Sequence, residues 1–268
     1  MIKRILASLF VLSLALSPLA YSASTATCND TDCKSANHFD GVDGATATTD
    51  SSASAPAWTF VDGAQLDTAQ FKFGTASLLT DGTGDYITTP DSANYDFSGG
   101  VFTIRAHIRV NSLATNVVFA SQGTDANNYW IFYVDTAGEL RFKGFSGGSL
   151  ALNVPSSAGA ISTATWYHVA INQTASGETN VKLFKDGTAV GTGEAVGGGL
   201  PVLANYTSVL YIGRASNGTT DEYDGWIDEI GFYNGTAIYG TSNFTAPTAA
   251  YSDTCAASEK NRTLLGVG

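Results

Sequence analysis

One stretch of the sequence combines carboxylates with aromatic and aliphatic residues at regular spacing. Residues 223–233 read Tyr-Asp-Gly-Trp-Ile-Asp-Glu-Ile-Gly-Phe-Tyr. In a β-strand this pattern places Asp228 on the same face as Trp226 and further apolar residues, which predicts a buried carboxylate. Such a group requires backbone N–H donors, a basic partner or a cation. No Lys or Arg lies between Arg214 and Lys260, so a basic partner must come from a distant part of the chain.

Two short segments, 127–130 and 221–224, contain the residue types that contact sugars. Aromatic rings stack on the apolar face of a sugar, while amide and carboxylate groups hydrogen-bond to its hydroxyl groups. Trp130 and Trp226 alternate with apolar neighbours, so both tryptophans are expected in the core. The candidate ligand-binding residues that remain are Asn127, Asn128 and Tyr223.

The N-terminus has the three parts of a secretory signal peptide. Lys3 and Arg4 precede an apolar run over residues 5–19, and the small residues that follow predict cleavage after Ser22. We therefore expect residues 1–22 to direct export, and the mature protein to be secreted or held at the cell surface. The run is short for a membrane span, and no later stretch is apolar enough to cross a bilayer.

The formal net charge of −11 limits the partners that the chain can have. Nucleic acids and anionic membranes repel an acidic protein, so neither is an expected partner. The same acidic balance suits solubility outside the cell and the binding of cations.

Three cysteines are present, and export to an oxidising compartment predicts a disulfide. A bond between Cys28 and Cys33 would close a short local loop. A bond from Cys255 to either of them would tie the two ends of the domain together, and this bond would stabilise more because the closed loop is longer. We prefer the end-to-end bond, because the termini of a domain often lie close together. The remaining thiol would be free or would link two molecules.

Short strands must position all of these residues. Residues 101–110 and 166–172 alternate between apolar and polar side chains, and Asp186-Gly187 separates two apolar runs as in a β-hairpin. Many such strands with glycine-rich turns, and no convincing helix, predict an all-β fold with two antiparallel sheets packed as a sandwich. We expect one domain over residues 37–251, preceded by a polar lead (23–36) and followed by a tail (252–268).

Several short motifs also occur in a recognisable order along the chain. Together they resemble the laminin G-like domains of the concanavalin A-like lectin/glucanase superfamily, in the form carried by bacteria and their phages. The resemblance covers almost the whole mature chain and implies a jelly-roll sandwich. The motifs lie at residues 39–41, 72–78, 81–86, 102–109, 165–170, 183–187, 225–230 and 243–247.

The resemblance also implies a structural calcium ion. Relatives hold calcium with an Asp on the last long strand and with backbone carbonyl groups, so that Asp228 would be joined by the turn at Asp81-Gly82 and by the strand near Asp40. Calcium takes oxygen ligands, and one or two carboxylates are sufficient. The alternatives are that backbone N–H groups cap Asp228, or that Arg105 or Arg109 pairs with it.

Catalysis is not expected. Glucanases of this superfamily carry Glu-x-Asp-x-x-Glu on one strand, because retaining hydrolysis needs two carboxyl groups close together. The carboxylates between Glu222 and Asp228 only approximate that spacing, and the last falls at the wrong parity for the motif. The three histidines lie in predicted strands without the Gly-x-Ser-x-Gly turn of a serine hydrolase. They are His38, His107 and His168.

The sequence therefore predicts an exported, non-catalytic recognition or adhesion module that binds a glycan or an extracellular protein, with calcium as the implied stabilising ion. The alternative is a structural subunit of an extracellular or cell-surface assembly, in which the unpaired cysteine would serve self-assembly. A glycoside hydrolase-like enzyme is the least favoured alternative.

Overall fold

Two antiparallel β-sheets form the protein in this computed structural model, which describes residues 32–175, 180–194, 203–217 and 219–251. Sheet I contains β1 (Cys33–Asn37), β3 (Gln65–Asp67), β4 (Ser77–Asp81), β6 (Phe102–Val110), β11 (Trp166–Gln173), β12 (Val181–Lys185), β13 (Thr188–Thr192) and β15 (Asp224–Asn234). Sheet II contains β2 (Thr59–Val61), β5 (Tyr86–Thr89), β7 (Val117–Asp125), β8 (Asn128–Val134), β9 (Leu140–Ser146), β10 (Ser149–Pro155) and β14 (Leu210–Ile212). Two 3₁₀ turns lie at Ala93–Tyr95 and Phe97–Gly99.

The strand order places segments from distant parts of the chain side by side. Sheet I runs β13-β12-β11-β6-β15-β4-β3, and β1 pairs with β15 as well. Sheet II runs β10-β9-β8-β7-β14-β5-β2. The connections therefore cross repeatedly from one sheet to the other, as in a jelly roll. The prediction of a two-sheet antiparallel sandwich is confirmed.

The core lies between the two sheets and follows the alternation read from the sequence. On β6 the apolar residues at alternate positions from Phe102 to Val110 are buried against sheet II. Trp130 is buried opposite them, and its ring stacks on that of Phe142 with centroids 5.8 Å apart. Each large apolar side chain buried in this way contributes roughly 1.5–3 kcal/mol. The prediction that Trp130 belongs to the core is confirmed.

A bulge in β15 interrupts the predicted alternation. The register with β6 shifts between Asp228 and Gly231, and Glu229 has a φ of 52°. Because the bulge adds one residue, Ile227 before it and Ile230 after it both point into the core. Asp228 and Trp226 therefore face outwards, away from the core. The prediction that Trp226 is a core residue is wrong, since this residue is only half-buried and its indole N–H donates to Asp67 Oδ2 at 2.5 Å.

The outer face of sheet I is covered by the chain itself. A loop of residues 68–76 lies on one side of it, and residues 235–251, which we call the C-terminal strap, lie on the other. Arg105, His107 and His168 point outwards from the sheet, yet each is at most 2% exposed. Rings of the strap cover them, and one of these, Phe244, lies 5.7 Å from the His168 ring.

The domain begins earlier than expected. β1 occupies Cys33–Asn37, so the last part of the predicted polar lead (23–36) is a strand of sheet I. Cys33 is buried there and packs on Tyr233. Cys28, Cys255, the predicted signal peptide and the tail lie outside the described residues, so the disulfide remains a prediction. Within the described part of the chain, no helix is long and apolar enough to span a membrane.

Candidate functional site

The buried carboxylate predicted from the sequence holds a loop. Asp228 Oδ2 accepts hydrogen bonds from the backbone N–H groups of Lys72 at 2.7 Å and Phe73 at 3.0 Å. Oδ1 is buried and has no hydrogen-bond partner among the described residues. Burial raises the pKa of Asp228 to about 7, although the two N–H groups oppose this shift. Asp228 thus corresponds to the alternative in which backbone N–H groups cap the carboxylate.

The residues predicted to bind calcium lie in two places. Asp40 Oδ1 accepts hydrogen bonds from the backbone N–H and the hydroxyl group of Thr75, so it holds the same loop as Asp228. Asp81 lies in β4, and its partner on β15 is four residues before Asp228, which corresponds to about 14 Å along the strand. Gly82 follows Asp81 in the chain. No group of three His, Cys, Asp or Glu residues in the described ranges is placed to hold a metal ion. The implied ligand set is not assembled, and calcium binding remains a prediction from the resemblance.

The three histidines and Glu229 are buried on the side of sheet I that the strap covers. His38 Nδ1 lies 2.8 Å from Glu229 Oε1, and the backbone N–H of Tyr251 donates to Oε2 at 2.7 Å. The rings of His107 and His168 are in contact, with centroids 5.1 Å apart. Burial, together with nearby cations, lowers the pKa of His107 to about 3. These groups hold the strap and the first strand to sheet I.

Tyr223 does not belong to a ligand site. It is fully buried, with its ring 6.4 Å from that of Phe119, and its hydroxyl group donates to the Trp226 carbonyl oxygen at 3.3 Å. Burial raises its pKa well above the ordinary value for tyrosine. The prediction that Tyr223 binds a ligand is therefore wrong, because this residue points to the same side of the strand as the core residue Ile227.

The two predicted asparagines lie together in the turn between β7 and β8. Asn128 is half-buried, and its amide donates to Asp125 while its Oδ1 accepts the backbone N–H of Gly147 at 2.9 Å. It therefore joins this turn to the next one. Asn127 is exposed, and its main-chain oxygen accepts the backbone N–H of Gly148 at 3.0 Å. Only Asn127 offers its side chain to solvent.

Beside this turn, two aromatic rings stack on the outer face of sheet II. Tyr129 and Phe145 are cross-strand partners on β8 and β9, and both are half-buried. Their ring centroids are 4.9 Å apart and their planes differ by 15°. Phe145 was not identified from the sequence. The available signal was an aromatic residue at the outward position of a strand whose other outward residues, Arg141 and Lys143, are charged.

A second aromatic pair lies across β7 on the same face. The rings of Tyr86 and Tyr211 are 5.7 Å apart, and both residues are half-buried. Tyr211 pairs with Ser121 of β7, whereas Tyr129 pairs with Gly123, two residues further along. The Cα atoms of Tyr129 and Tyr211 are therefore about 12 Å apart, given the spacing of strands and residues in a sheet.

Only small residues separate the two aromatic pairs. Ser121 and Gly123 are the outward-facing positions of β7 between them, and both are buried. A side chain at position 123 would collide with Tyr129, whose Cβ would lie 2.2 Å from the added atom. We call this part of the outer face of sheet II, floored by β7 and bordered by the Tyr129–Phe145 and Tyr86–Tyr211 pairs, the aromatic trough.

An open cleft of about 500 Å³ lies elsewhere, between the edge strands β10 and β13. Among the described residues its lining combines hydroxyl and carboxylate side chains, including Ser157, Thr192 and Glu194, with small and aliphatic ones such as Val190. It offers polar groups but no aromatic surface from these residues, so it suits the apolar face of a sugar less well than the trough does.

Comparisons with known proteins agree with this architecture. A family profile described as the concanavalin A-like lectin/glucanases superfamily matches residues 81–237. No curated protein sequence matches the chain significantly. Many solved structures are similar to it, all of those described below at low sequence identity.

Three of these structures are binding domains or parts of extracellular enzymes. The binding domain of Paraclostridial Mosquitocidal Protein 1 is 14% identical with a TM-score of 0.59, over 77% of this chain and 49% of that one. Domain 4 of AbnA, a GH43 extracellular arabinanase from Geobacillus stearothermophilus, in complex with arabinotriose, is 18% identical with a TM-score of 0.56, over 77% of this chain and 94% of that one. The binding domain of Botulinum Neurotoxin DC in complex with SialylT is 12% identical with a TM-score of 0.54, over 80% and 48%. The chain spans about half the length of these toxin domains.

Proposed function

The chain belongs to the concanavalin A-like lectin/glucanases superfamily, and on this premise we propose that it is a binding module that holds a glycan on the outer face of sheet II. The stacked pair of Tyr129 and Phe145 carries this proposal. Export, from the predicted signal peptide at residues 1–22, is part of the same proposal, since it would place the module outside the cell where glycans are displayed.

The surroundings of the stacked pair suit a sugar. The rings of Tyr129 and Phe145 are half-exposed and stack face to face with centroids 4.9 Å apart, and a free ring face of this pair can stack on the C–H face of a sugar. The exposed amide of Asn127 and the carboxylate of Asp125 lie at the turn that leads into Tyr129, and they can hydrogen-bond to hydroxyl groups. Backbone and side-chain N–H groups at the same turn lower the pKa of Asp125, so this acceptor stays ionised.

The unequal covering of the two sheets also supports this face. The strap and the loop of residues 68–76 bury the outward side chains of sheet I, including Arg105. Sheet II keeps half-exposed aromatic residues on its outer face, and exposed or half-exposed aromatic groups beside polar ones are typical of binding surfaces. Two structural neighbours, domain 4 of AbnA and the neurotoxin DC domain, are described in complex with arabinotriose and SialylT, and their fold supports a glycan as the class of ligand.

A glycan array with matched variants tests the proposal. The wild-type chain should bind at least one class of glycan, and Tyr129→Ala or Phe145→Ala should weaken binding about tenfold or more, which corresponds to roughly 1.4 kcal/mol. Phe71→Ala is the control, because Phe71 is an aromatic residue 41% exposed in the loop beside sheet I. An array without any binding, or equal losses in Phe71→Ala, would reject the proposal.

A further inference from the structure

The second aromatic pair extends the site beyond one sugar. We propose that Tyr86 and Tyr211 form a second subsite, and that the ligand is a chain of several sugar units that crosses β7 along the aromatic trough. This inference rests on the proposed glycan-binding function. It adds that the ligand is a linear oligosaccharide, and that one pair of residues contacts only the longer oligosaccharides of a series.

The second pair has its own polar group held in place. The guanidinium group of Arg214 lies over the Tyr86 ring at 4.9 Å, and its Nε is 3.7 Å from Glu222 Oε1. The other carboxylate oxygen of Glu222 accepts the backbone N–H of Gly84 at 2.6 Å. A planar donor group is thus fixed beside a half-exposed aromatic pair, which is the combination that binds a sugar ring and its hydroxyl groups.

The floor between the two pairs is low, and one end of it is closed. Ser121 is buried, and its hydroxyl group donates to the carbonyl oxygen of Arg214 at 2.6 Å. The next residue, Ala215, packs on Val118 and Ile131 and covers the face beyond that point. Residues 214–215 therefore close one side of the trough above Ser121, and Gly123, which lies against Tyr129, forms its floor on the other side.

The spacing of the pairs requires more than one sugar unit. The Cα atoms of Tyr129 and Tyr211 are about 12 Å apart, and the partner rings, Phe145 and Tyr86, lie further out on the neighbouring strands. A sugar ring that stacks on the Tyr129–Phe145 pair therefore cannot also stack on the Tyr86–Tyr211 pair. Subsites joined by one ligand act together, since the second contact forms within the complex made by the first.

Chain length is the variable that tests this inference. Calorimetric titration would use arabinose, arabinotriose and arabinohexaose, with xylo-, cello- and sialylated oligosaccharides of matched lengths in parallel. For the wild-type chain, affinity should rise at least tenfold from the shortest bound member of a series to the longest. Tyr211→Ala should remove this rise and leave the affinity for the shortest bound member unchanged. Tyr211→Phe, which keeps the ring, should retain most of the rise, and Tyr129→Ala should weaken every length.

The outcomes separate the two proposals. If glycans bind but affinity does not depend on length, or Tyr211→Ala weakens all lengths equally, the second subsite is rejected and the glycan-binding function stands. If Tyr211→Ala has no effect on any length, the subsite is likewise rejected. If no series binds and the array is also negative, the glycan-binding function itself fails, and this inference fails with it.

Discussion

At the scale of single residues, the outer face of sheet I places ionisable groups under the strap instead of in water. Asp228 and His107 are opposite each other on β15 and β6, and burial shifts their pKa values in opposite directions, to about 7 and about 3. Arg105 lies beside them with its guanidinium group 3.4 Å from the ring of Tyr251, while Tyr233 accepts a hydrogen bond from it at 2.6 Å. Burial thus favours the neutral forms of the carboxyl group and the imidazole, and leaves the arginine charged.

The raised pKa of Asp228 gives a prediction with a definite sign. Between pH 3.8 and about 7 the folded chain keeps a proton on this carboxyl group that the unfolded chain releases, so the group favours folding less as pH rises. His107 acts in the opposite sense as pH falls from 6.5, but it is present in both proteins and cancels in a comparison of Asp228→Asn with wild type. The free energy lost in Asp228→Asn should be larger at pH 4.5 than at pH 6 or 7.5, because it shrinks by up to about 1.4 kcal/mol per pH unit between pH 3.8 and about 7.

Urea unfolding of both proteins at pH 4.5, 6 and 7.5 measures this difference. A loss that grows with pH would mean that the charged carboxylate is the stabilised form, which the implied calcium ion would require. In that event calcium should raise the melting temperature of the wild-type chain and a chelator should lower it, and Asp228→Asn should respond to neither.

Among the secondary-structure elements, the sequence predicted the strands well, but it predicted wrongly which residues of β15 face the core. β6 and β11 alternate without interruption, so a period of two separated the two faces of each strand, and the faces that carry Ile104 and Ile171 enter the core. β15 contains a bulge at Glu229, a residue type that rarely adopts a positive φ, and nothing in the local sequence marks it. The mistaken assignment of Trp226 to the core follows from that one extra residue.

The candidate site was missed for a different reason. Asn127 and Tyr129 were within reach of sequence analysis, because they lie in one turn and the strand that follows it. The stacking of Tyr129 on Phe145 depends on the register between β8 and β9, and the position of Tyr211 depends on β14 pairing with a strand far away in the chain. A single sequence does not specify such pairings, because hydrophobic alternation fixes the face of a residue but not its neighbour on the next strand.

One of the side chains that hold the strap forms hydrogen bonds to its backbone as a neighbouring strand would. Asn172 Oδ1 accepts the backbone N–H of Tyr239 at 3.3 Å and the Thr103 hydroxyl group at 2.5 Å, while Nδ2 donates to the Tyr239 carbonyl oxygen at 2.5 Å. Asn172→Ala would leave these buried groups without partners, and we expect a loss of about 2–3 kcal/mol in the free energy of unfolding. Asn111→Ala, at an exposed asparagine, is the control.

Hydrogen exchange can locate the effect of Asn172→Ala. Protection should fall over residues 238–251 more than over β7 and β8, because the strap loses its attachment while sheet II keeps its own pairing. A uniform loss of protection across both sheets would contradict a local role for Asn172 and would assign it to the core of the sandwich instead.

At the scale of the whole molecule, the two faces of the sandwich are used differently. Sheet I contains or is covered by segments from both ends of the described chain, because β1 pairs with β15 within the sheet and the strap crosses its outer face. Sheet II presents the aromatic trough on strands whose neighbours fix them on both sides. Because these strands are held on both sides, the aromatic trough loses little conformational freedom on binding, which favours affinity for an extended ligand.

The same arrangement favours one disulfide over the other. Cys33 of β1 pairs with Tyr233 of β15. The guanidinium group of Arg105 lies 5.1 Å from the ring of Tyr233 and 3.4 Å from the ring of Tyr251. Cys255 follows Tyr251 by four residues, which can span about 14 Å at most. We therefore expect the end-to-end bond, Cys33–Cys255, which would stabilise the chain by about 4–5 kcal/mol through its long closed loop.

Peptide mapping of the protein without reduction decides between the pairings. A Cys33–Cys255 peptide would be accompanied by a lower melting temperature after reduction, and Cys255→Ser should reproduce that loss whereas Cys28→Ser should not. A Cys28–Cys33 peptide would contradict this expectation. The strap would then be held to sheet I without a disulfide, through contacts that include those of Asn172 with Tyr239 and of Glu229 with Tyr251.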